Sequence, residues 1–413
     1  MGSSDALDVV REIARFNAGR EPERLALKLK RMRADAFAFF RGSNHLYCRR
    51  LAEDGSLPKA PAVWSCGDLH VENFGSYKGD DRLVCFDIND FDDALLAPAS
   101  WDVVRVLASI LVGAASMHAG AADAEALAAC FVDAYASALG AGKALRIERE
   151  TSTGAVRALF EAAAMRKRRA FLDERTTLAG GRRKLRIDGR RTLALDAEAR
   201  KRVAAIVDSH GATTRDPRFY DVLDAARRIA GIGSLGLERC VVLVRGKGSP
   251  DGNYLLDLKL AQPPAPRRVL RDVVRQPAWP SEAHRVVAIE QRMQAVAVAF
   301  LHPIVDGRSS YVLRALQPSE DRLALDRTSL GRAQLAGAIA TMGRALAWAQ
   351  LRSGGRQGSA IADALIDWAA KPRWRRRSLA LAHALAERTK GDWRTYAAAY
   401  DAGAFAGTFA GAR

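Results

Sequence analysis

The chain counts 413 residues, 49% of them hydrophobic and 27% charged, and its 64 Lys and Arg outweigh 47 Asp and Glu for a formal net charge of +17. That balance excludes a disordered or fibrous chain and leaves room for two or three domains or one two-lobed fold. The positive excess favours anionic partners, namely nucleic acid, acidic lipid headgroups or phosphorylated small molecules, without choosing among them.

At the N-terminus no basic segment leads into an apolar core with a cleavage site, and "MGSSDA" has Ala6 where a myristoylation signal wants Ser or Thr, so a cytoplasmic location is expected. From Ala6 to about Leu51 the periodicity is helical, closing on the aromatic cluster of "FAFFRG". "APAVWSCGDLH" reads as a short strand entering a loop, and "RLVCFDIND" as a second strand ending in acids. After Pro98, "SWDVVRVLASILVGAAS" returns to helix; its Ala, Gly and Arg105 mark it as buried rather than membrane-spanning. Ala-rich helices continue to about Ala164.

Between Arg166 and Arg202 the chain turns basic ("RKRR", "GRRKLRIDGRR", "EARKR") and reads as an inserted arm or hairpin. Clustered guanidinium groups make this arm, 166–202, the best candidate surface for an anionic partner, with a solvated charged face as the plainer alternative. From Phe219, "RRIAGIGSLGLERCVVLVRG", a turn at 246–253 and "NYLLDLKLA" predict a two-stranded hairpin with a glycine-rich entrance. A helix from Glu282 to Phe300, a strand "SSYVLRAL" and helices from Ser329 onward complete the chain. The implied divisions are an N-terminal helical segment (1–60), a part of a large lobe with the acidic loops and basic insertion (61–215), a small lobe (216–318) and a C-terminal helical part of the large lobe (319–413). Five cysteines without a C-x-x-C pair (Cys48, Cys66, Cys85, Cys130, Cys240) argue against a disulfide framework or structural zinc.

The chemistry concentrates in two places. Asp68 and Asn73 have the D-x-x-x-x-N spacing of a phosphotransferase loop, in which the aspartate accepts the acceptor hydroxyl proton and the asparagine oxygen holds Mg2+. Asp87, at the end of the following strand, is the expected second Mg2+ ligand and Asp90 a further one; hard oxygen donors suit that ion. His70 lines the metal, orients Asp68 or simply braces the loop. Elsewhere Gly231, Gly233 and Gly236 form G-x-G-x-x-G around Ser234, and a strand rather than a helix follows, which favours a flap over ATP phosphates instead of a dinucleotide fold. Lys259 on the next strand is placed to grip those phosphates, with Glu282, Glu290 or Gln291 of the following helix as its partner. Arg41 is a candidate to hold a phosphate or an acidic loop residue.

At "FAFFRG", "CGDLHVENFG", "FDINDFDD", "SWDVVRVLAS", "GIGSLG", "LLDLKLA", "EQRMQA" and "YVLRALQPSEDRL" the chain resembles the bacterial domain-of-unknown-function family 2252, similar to permuted, remote relatives of protein kinases and aminoglycoside phosphotransferases. The resemblance implies an α+β, two-lobed, protein-kinase-like fold that is circularly permuted, because the glycine flap follows the catalytic loop. It also implies that Asp102 braces that loop; Leu260 and Glu290 depart from the family's usual Glu and Gly. The expected activity is an ATP- and Mg2+-dependent phosphotransferase acting on a small-molecule hydroxyl acceptor. The alternatives are nucleotidyl transfer on the same fold, a catalytically silent nucleotide-binding module, and a metal-dependent hydrolase using His70.

Overall fold

A helix with every residue buried stands at the centre of the molecule. In the computed structural model, which describes residues 8–53, 59–326 and 328–405, "SWDVVRVLASILVG" forms that helix with all 14 residues buried and with Asp102 and Arg105 as its only charged side chains. A helix apolar all round must be packed on every side; the two charges among its buried residues need partners from other elements.

Helices α1 (Val9–Phe16), α2 (Pro22–Ala34), α3 (Ala36–Gly42) and α4 (Asn44–Glu53) precede strands β1 (Ala62–Ser65), β2 (Phe74–Lys78), β3 (Val84–Ile88) and β4 (Leu95–Pro98), which lead into the central α5 (Ser100–Gly113). Next come α6 (Ala121–Gly140), α7 (Gly154–Met165), α8 (Arg168–Arg175), β5 (Thr176–Ala179), β6 (Arg182–Leu185), β7 (Thr192–Leu193) and α9 (Ala197–Gly211). The chain continues through β8 (Val222–Arg228), β9 (Arg239–Val244), β10 (Tyr254–Leu260), α10 (Arg267–Leu270), α11 (Glu282–Met293), β11 (His302–Asp306) and β12 (Ser309–Ala315). It ends with α12 (Arg332–Ser353), α13 (Ala362–Ala369) and α14 (Arg373–Asp401). Ala6, the expected start of the helical region, lies outside the described residues.

The fold is α+β, with antiparallel pairing throughout its named strands. Six strands form one sheet in the order β11-β12-β10-β9-β8-β7, while β1-β4, β2-β3 and β5-β6 are separate pairs. Alternation along β10 explains how the sheet is used: Leu256 and Leu258 join Val203, Ile206 and Val207 of α9 in one core, and Leu255 on the opposite face joins Val241 and Leu243. Asp257 and Lys259 share the face of Leu255, so the strand directs two charges out of the α9 core. A larger core gathers α5, α6, α12 and the β1–β4 region, and a fourth ties α1–α3 to α14. Among the described residues no helix is long and apolar enough to cross a membrane.

The helix expected from Glu282 to Phe300 stops at Met293. Tertiary hydrogen bonds hold the remainder: Asp80 N donates to Ala297 O at 2.8 Å, Ala299 N to Lys78 O at 3.0 Å, and Gln294 Nε2 to Ile88 O at 2.8 Å. Those partners draw "QAVAVAF" away from helix and against the β2–β3 hairpin, a case of context overriding propensity. β2, β4, β8 and β11 are strands that the sequence pattern does not separate, so the expected two-stranded hairpin, β9 and β10, sits inside a six-stranded sheet. The basic arm is α8 and the β5–β6 hairpin joined to the sheet edge by β7, and much of its charge is matched: Arg166 meets Asp321 at 2.5 Å, Arg183 meets Asp173 and Asp251 at 2.7 and 2.8 Å, and Arg191 meets Glu174 at 2.7 Å.

Candidate active site

The loop after β1 is built on side chains of α5. Gly67 has φ +76°, and a Cβ there would stand 2.0 Å from the Asp93 carbonyl oxygen, so the turn requires glycine. Asp102 accepts from Cys66 N at 2.8 Å and Gly67 N at 3.2 Å, Trp101 Nε1 donates to Gly67 O at 3.1 Å, and Ser109 Oγ accepts from Val71 N at 3.2 Å. Burial pushes the Asp102 carboxyl up to about 6 despite those N–H donors. Arg105, one helical turn on from Trp101, sends Nε (3.1 Å) and Nη2 (2.5 Å) to Asp68 Oδ1 and also donates to Phe40 O at 3.0 Å. Its guanidinium carbon lies 3.6 Å from the Phe40 ring centre and 4.2 Å from that of Tyr47.

Asp68 itself faces the cleft with 24% of its side chain exposed. Its carboxyl is pushed up to about 7, first by burial and then by Asp93, against the pull of Arg105. His70 is buried, and its Nδ1 accepts from Glu72 N at 3.2 Å at the start of a 3-10 turn, Val71–Asn73. Burial, followed by Arg41, Arg105 and Arg322, holds His70 well below the usual imidazole range, so it is neutral and braces the loop.

Asn89 N donates to Asn73 O at 2.9 Å, which brings the acidic run 89–93 beside the end of the loop. Asn73 Oδ1 is buried without a hydrogen-bond partner. Asp90 lines the same cleft as Asn73 and Asp68. Burial would raise its carboxyl, but Lys259, Arg314 and Arg239 more than offset this and hold it below the usual range. Asp87, the expected metal ligand, faces elsewhere: its Oδ2 accepts from Ala295 N at 2.9 Å, its Oδ1 accepts from Ile88 N at 2.9 Å, and it does not line the cleft. Asp92 accepts from Lys259, and Asp93 accepts from Asn44 Nδ2 at 2.7 Å and Ala265 N at 2.8 Å.

Across a cleft of about 1110 Å³, Gly231, Gly233, Ser234 and Gly236 face Asp68, Asn73 and Asp90. The glycine loop joins β8 to β9, and α2 with the turn before it secures its carbonyls. Arg31 Nη1 donates to Gly231 O at 3.1 Å, Lys28 Nζ to Gly233 O at 2.9 Å, and Arg20 Nη1 to both Gly233 O and Leu235 O at 2.7 Å. Gly236 has φ +85°, and a Cβ would come within 2.8 Å of the Arg20 side chain. Lys28 is fully buried, and burial, then Arg20, depresses its ammonium well below the usual range.

Lys259 pairs with Asp92, whereas Glu290 bonds Arg314 Nη1 at 3.2 Å. Burial pushes the Glu290 carboxyl up to about 7. Arg314 extends a charged layer in which Arg239 grips Asp257 at 2.9 and 2.6 Å and Arg228 reaches it at 2.8 Å. Arg41 holds Glu72 at 2.7 Å. Glu282 is taken by Arg267 and Arg285, at 2.6 and 2.7 Å.

Sequence reasoning missed Arg105, Arg20 and Lys28 as supports of the site. Arg105 left a signal, since it is a lone cation within an otherwise apolar stretch three residues after Asp102. Arg20 left none, because its partners lie more than two hundred residues away. Among the described residues no three His, Cys, Asp or Glu side chains cluster as a ready-made metal site.

No curated protein and no solved structure matches the chain. The family described as "Uncharacterized protein conserved in bacteria (DUF2252)" matches residues 20–399. With that match running over most of its length, the chain belongs to the DUF2252 family.

Proposed function

We propose that the protein is an ATP- and Mg2+-dependent phosphotransferase acting on a small-molecule hydroxyl acceptor, on a circularly permuted, two-lobed, kinase-like fold. The observation that carries the reading is the cleft, in which Asp68, Asn73 and Asp90 from the β1–β4 region face the glycine loop between β8 and β9; Lys259 does not itself line the cleft and is tied to it through Asp92, which does. Support for the permutation comes from the segment that follows α12: Ala360 N donates to Ala62 O at 2.7 Å, so the chain leaving that helix runs beside the strand leading into Asp68. The sheet supplies the flap and the lysine before α12, and the acidic loops sit at the front of the chain, as a cut between α12 and β1 would produce.

In this reading the glycine loop covers the nucleotide phosphates and Lys259 contacts them, while Ile229, Val241, Leu185 and Leu316 offer the base an apolar slot. The unpartnered Asn73 Oδ1 and the carboxylate of Asp90 suit Mg2+, which takes one or two carboxylates and completes its shell with phosphate and water oxygens. When bound, that ion would neutralise charge on the transferring phosphoryl group. Asp68, poised near 7 and aimed by Arg105, accepts the acceptor hydroxyl proton. The acceptor oxygen bonds to the γ-phosphorus as the bond from that phosphorus to the bridging oxygen breaks, and ADP leaves. His70, neutral and engaged as a loop brace, speaks against the hydrolase alternative.

The test is calorimetry with Mg2+ and ATP on the parent, Asp90→Asn and Lys259→Ala. Saturable binding weakened in both variants is expected; no binding at millimolar ATP would refute the reading.

A further inference from the structure

The cleft carries more positive charge beside Asp68 than the nucleotide donors account for. Arg41, near the end of α3, reaches Glu72 at 2.7 Å, and Glu72 belongs to the same loop as Asp68. Arg322 approaches that carboxylate at 3.8 Å. Backbone pairing keeps it there, since Gly75 and Arg322 form a bridge and Leu323 N donates to Phe74 O at 3.1 Å. Arg31 joins them from α2, where it holds Gly231 O. All three side chains line the cleft.

Among the described residues, Glu72 is the only carboxylate within ion-pairing distance of any of these three arginines. Neighbouring acids are already matched: Asp68 by Arg105, Asp92 by Lys259 and Asp321 by Arg166. Arg41 Nε is buried with no hydrogen-bond partner. Three guanidinium groups against one ion-paired carboxylate leave an excess of two positive charges at this corner, and Asp90 reaches Arg322 only through its longer-range field. Their crowding is felt by Arg31 and Arg322, both held below the ordinary range first by burial and then by Arg41.

We infer that Arg31, Arg41 and Arg322 form the acceptor subsite, and that the acceptor is an alcohol already carrying a phosphate group. The inference rests on the phosphotransferase reading. A phosphomonoester carries about −1.5 to −2 charge at pH 7, which matches the excess, whereas a carboxylate would leave one positive charge uncompensated. Guanidinium forks also pair with phosphate oxygens in a bidentate manner that fixes the orientation of the ligand. A polycationic amino sugar would be repelled from the same corner.

The experiment is calorimetry on the full chain saturated with Mg2+ and a non-hydrolysable ATP analogue, titrated separately with glycerol 3-phosphate, inorganic phosphate and kanamycin. Both phosphates should bind and kanamycin should not. Arg322→Ala, which removes a side chain that is 36% exposed, should weaken glycerol 3-phosphate at least tenfold with the analogue affinity changed less than twofold; Arg41→Gln should act in the same direction. Phosphate binding that vanishes once the analogue is present would assign these arginines to the nucleotide and overturn the inference. So would phosphate binding unchanged in Arg322→Ala, or kanamycin binding in preference to phosphate. If the analogue itself fails to bind while phosphate binds through Arg322, the phosphotransferase reading falls and takes the acceptor role with it, and only an anion site remains.

Discussion

Replacing Arg105 with Met tests how the fold holds Asp68. Arg105 is fully buried and Asp68 is its carboxylate partner, so the substitution leaves a carboxylate facing an otherwise uncompensated interior. Breaking a buried pair by removing one partner costs about 3–5 kcal/mol, and the opening of Asp68 to the cleft places this site near the lower end. The loss depends on pH in a calculable direction. Burial raises the folded-state carboxyl of Asp68 to about 7, above its unfolded value, so its contribution to stability declines as pH rises from the unfolded value to about 7 and is level above that. Without Arg105 the carboxyl moves higher still, and the decline continues beyond pH 7. At pH 6 Asp68 is mostly protonated in both proteins, and the variant loses packing and hydrogen bonds. At pH 8 it must also bury an unpaired charge or remain protonated against the solvent, at about 1.4 kcal/mol per unit. Urea denaturation should therefore give a destabilisation larger by about 1–1.5 kcal/mol at pH 8 than at pH 6. Adding Asp68→Asn should abolish the difference. Equal destabilisation at both pH values would refute the account of Asp68 as a carboxylate held ready by Arg105.

Asp90→Asn should weaken Mg2+-dependent nucleotide binding in calorimetry, whereas Asp87→Asn, which disturbs the bond from Ala295 N, should lower stability by about 1–3 kcal/mol and leave nucleotide affinity nearly intact. The reverse pattern would return the metal role to Asp87. Turnover, measured with an identified acceptor, should rise with pH through about 7 and level off above it as the base form of Asp68 appears, and this titration should be missing in Asp68→Asn. Lys28→Met exchanges a fully buried amine, bonded to a backbone carbonyl, for an apolar side chain of similar length; stability should change by no more than about 1 kcal/mol, while nucleotide affinity falls because Gly233 O keeps only Arg20. Asp102→Ala frees Cys66 N and Gly67 N inside the protein and should cost about 2–4 kcal/mol by thermal or urea denaturation.

The local features of the chain were legible because each is written within a few residues. Period-two alternation in "NYLLDLKL" declared β10, the all-apolar run around Asp102 and Arg105 declared the buried α5, and the α+β class followed from such stretches. The D-x-x-x-x-N spacing and the three glycines likewise singled out the two loops that line one cleft. Tertiary structure alone decided which side chains enter it. Asp87 and Asp90 are three residues apart and chemically identical, yet the 294–299 segment claims the first and leaves the second facing the cleft. Lys259 finds Asp92 across 167 positions rather than a carboxylate on the nearby α11, because Arg314 on the adjacent β12 has already taken Glu290. Charges select partners by distance and burial in the folded molecule, and no spacing rule along the chain encodes either quantity once the partners lie on different elements.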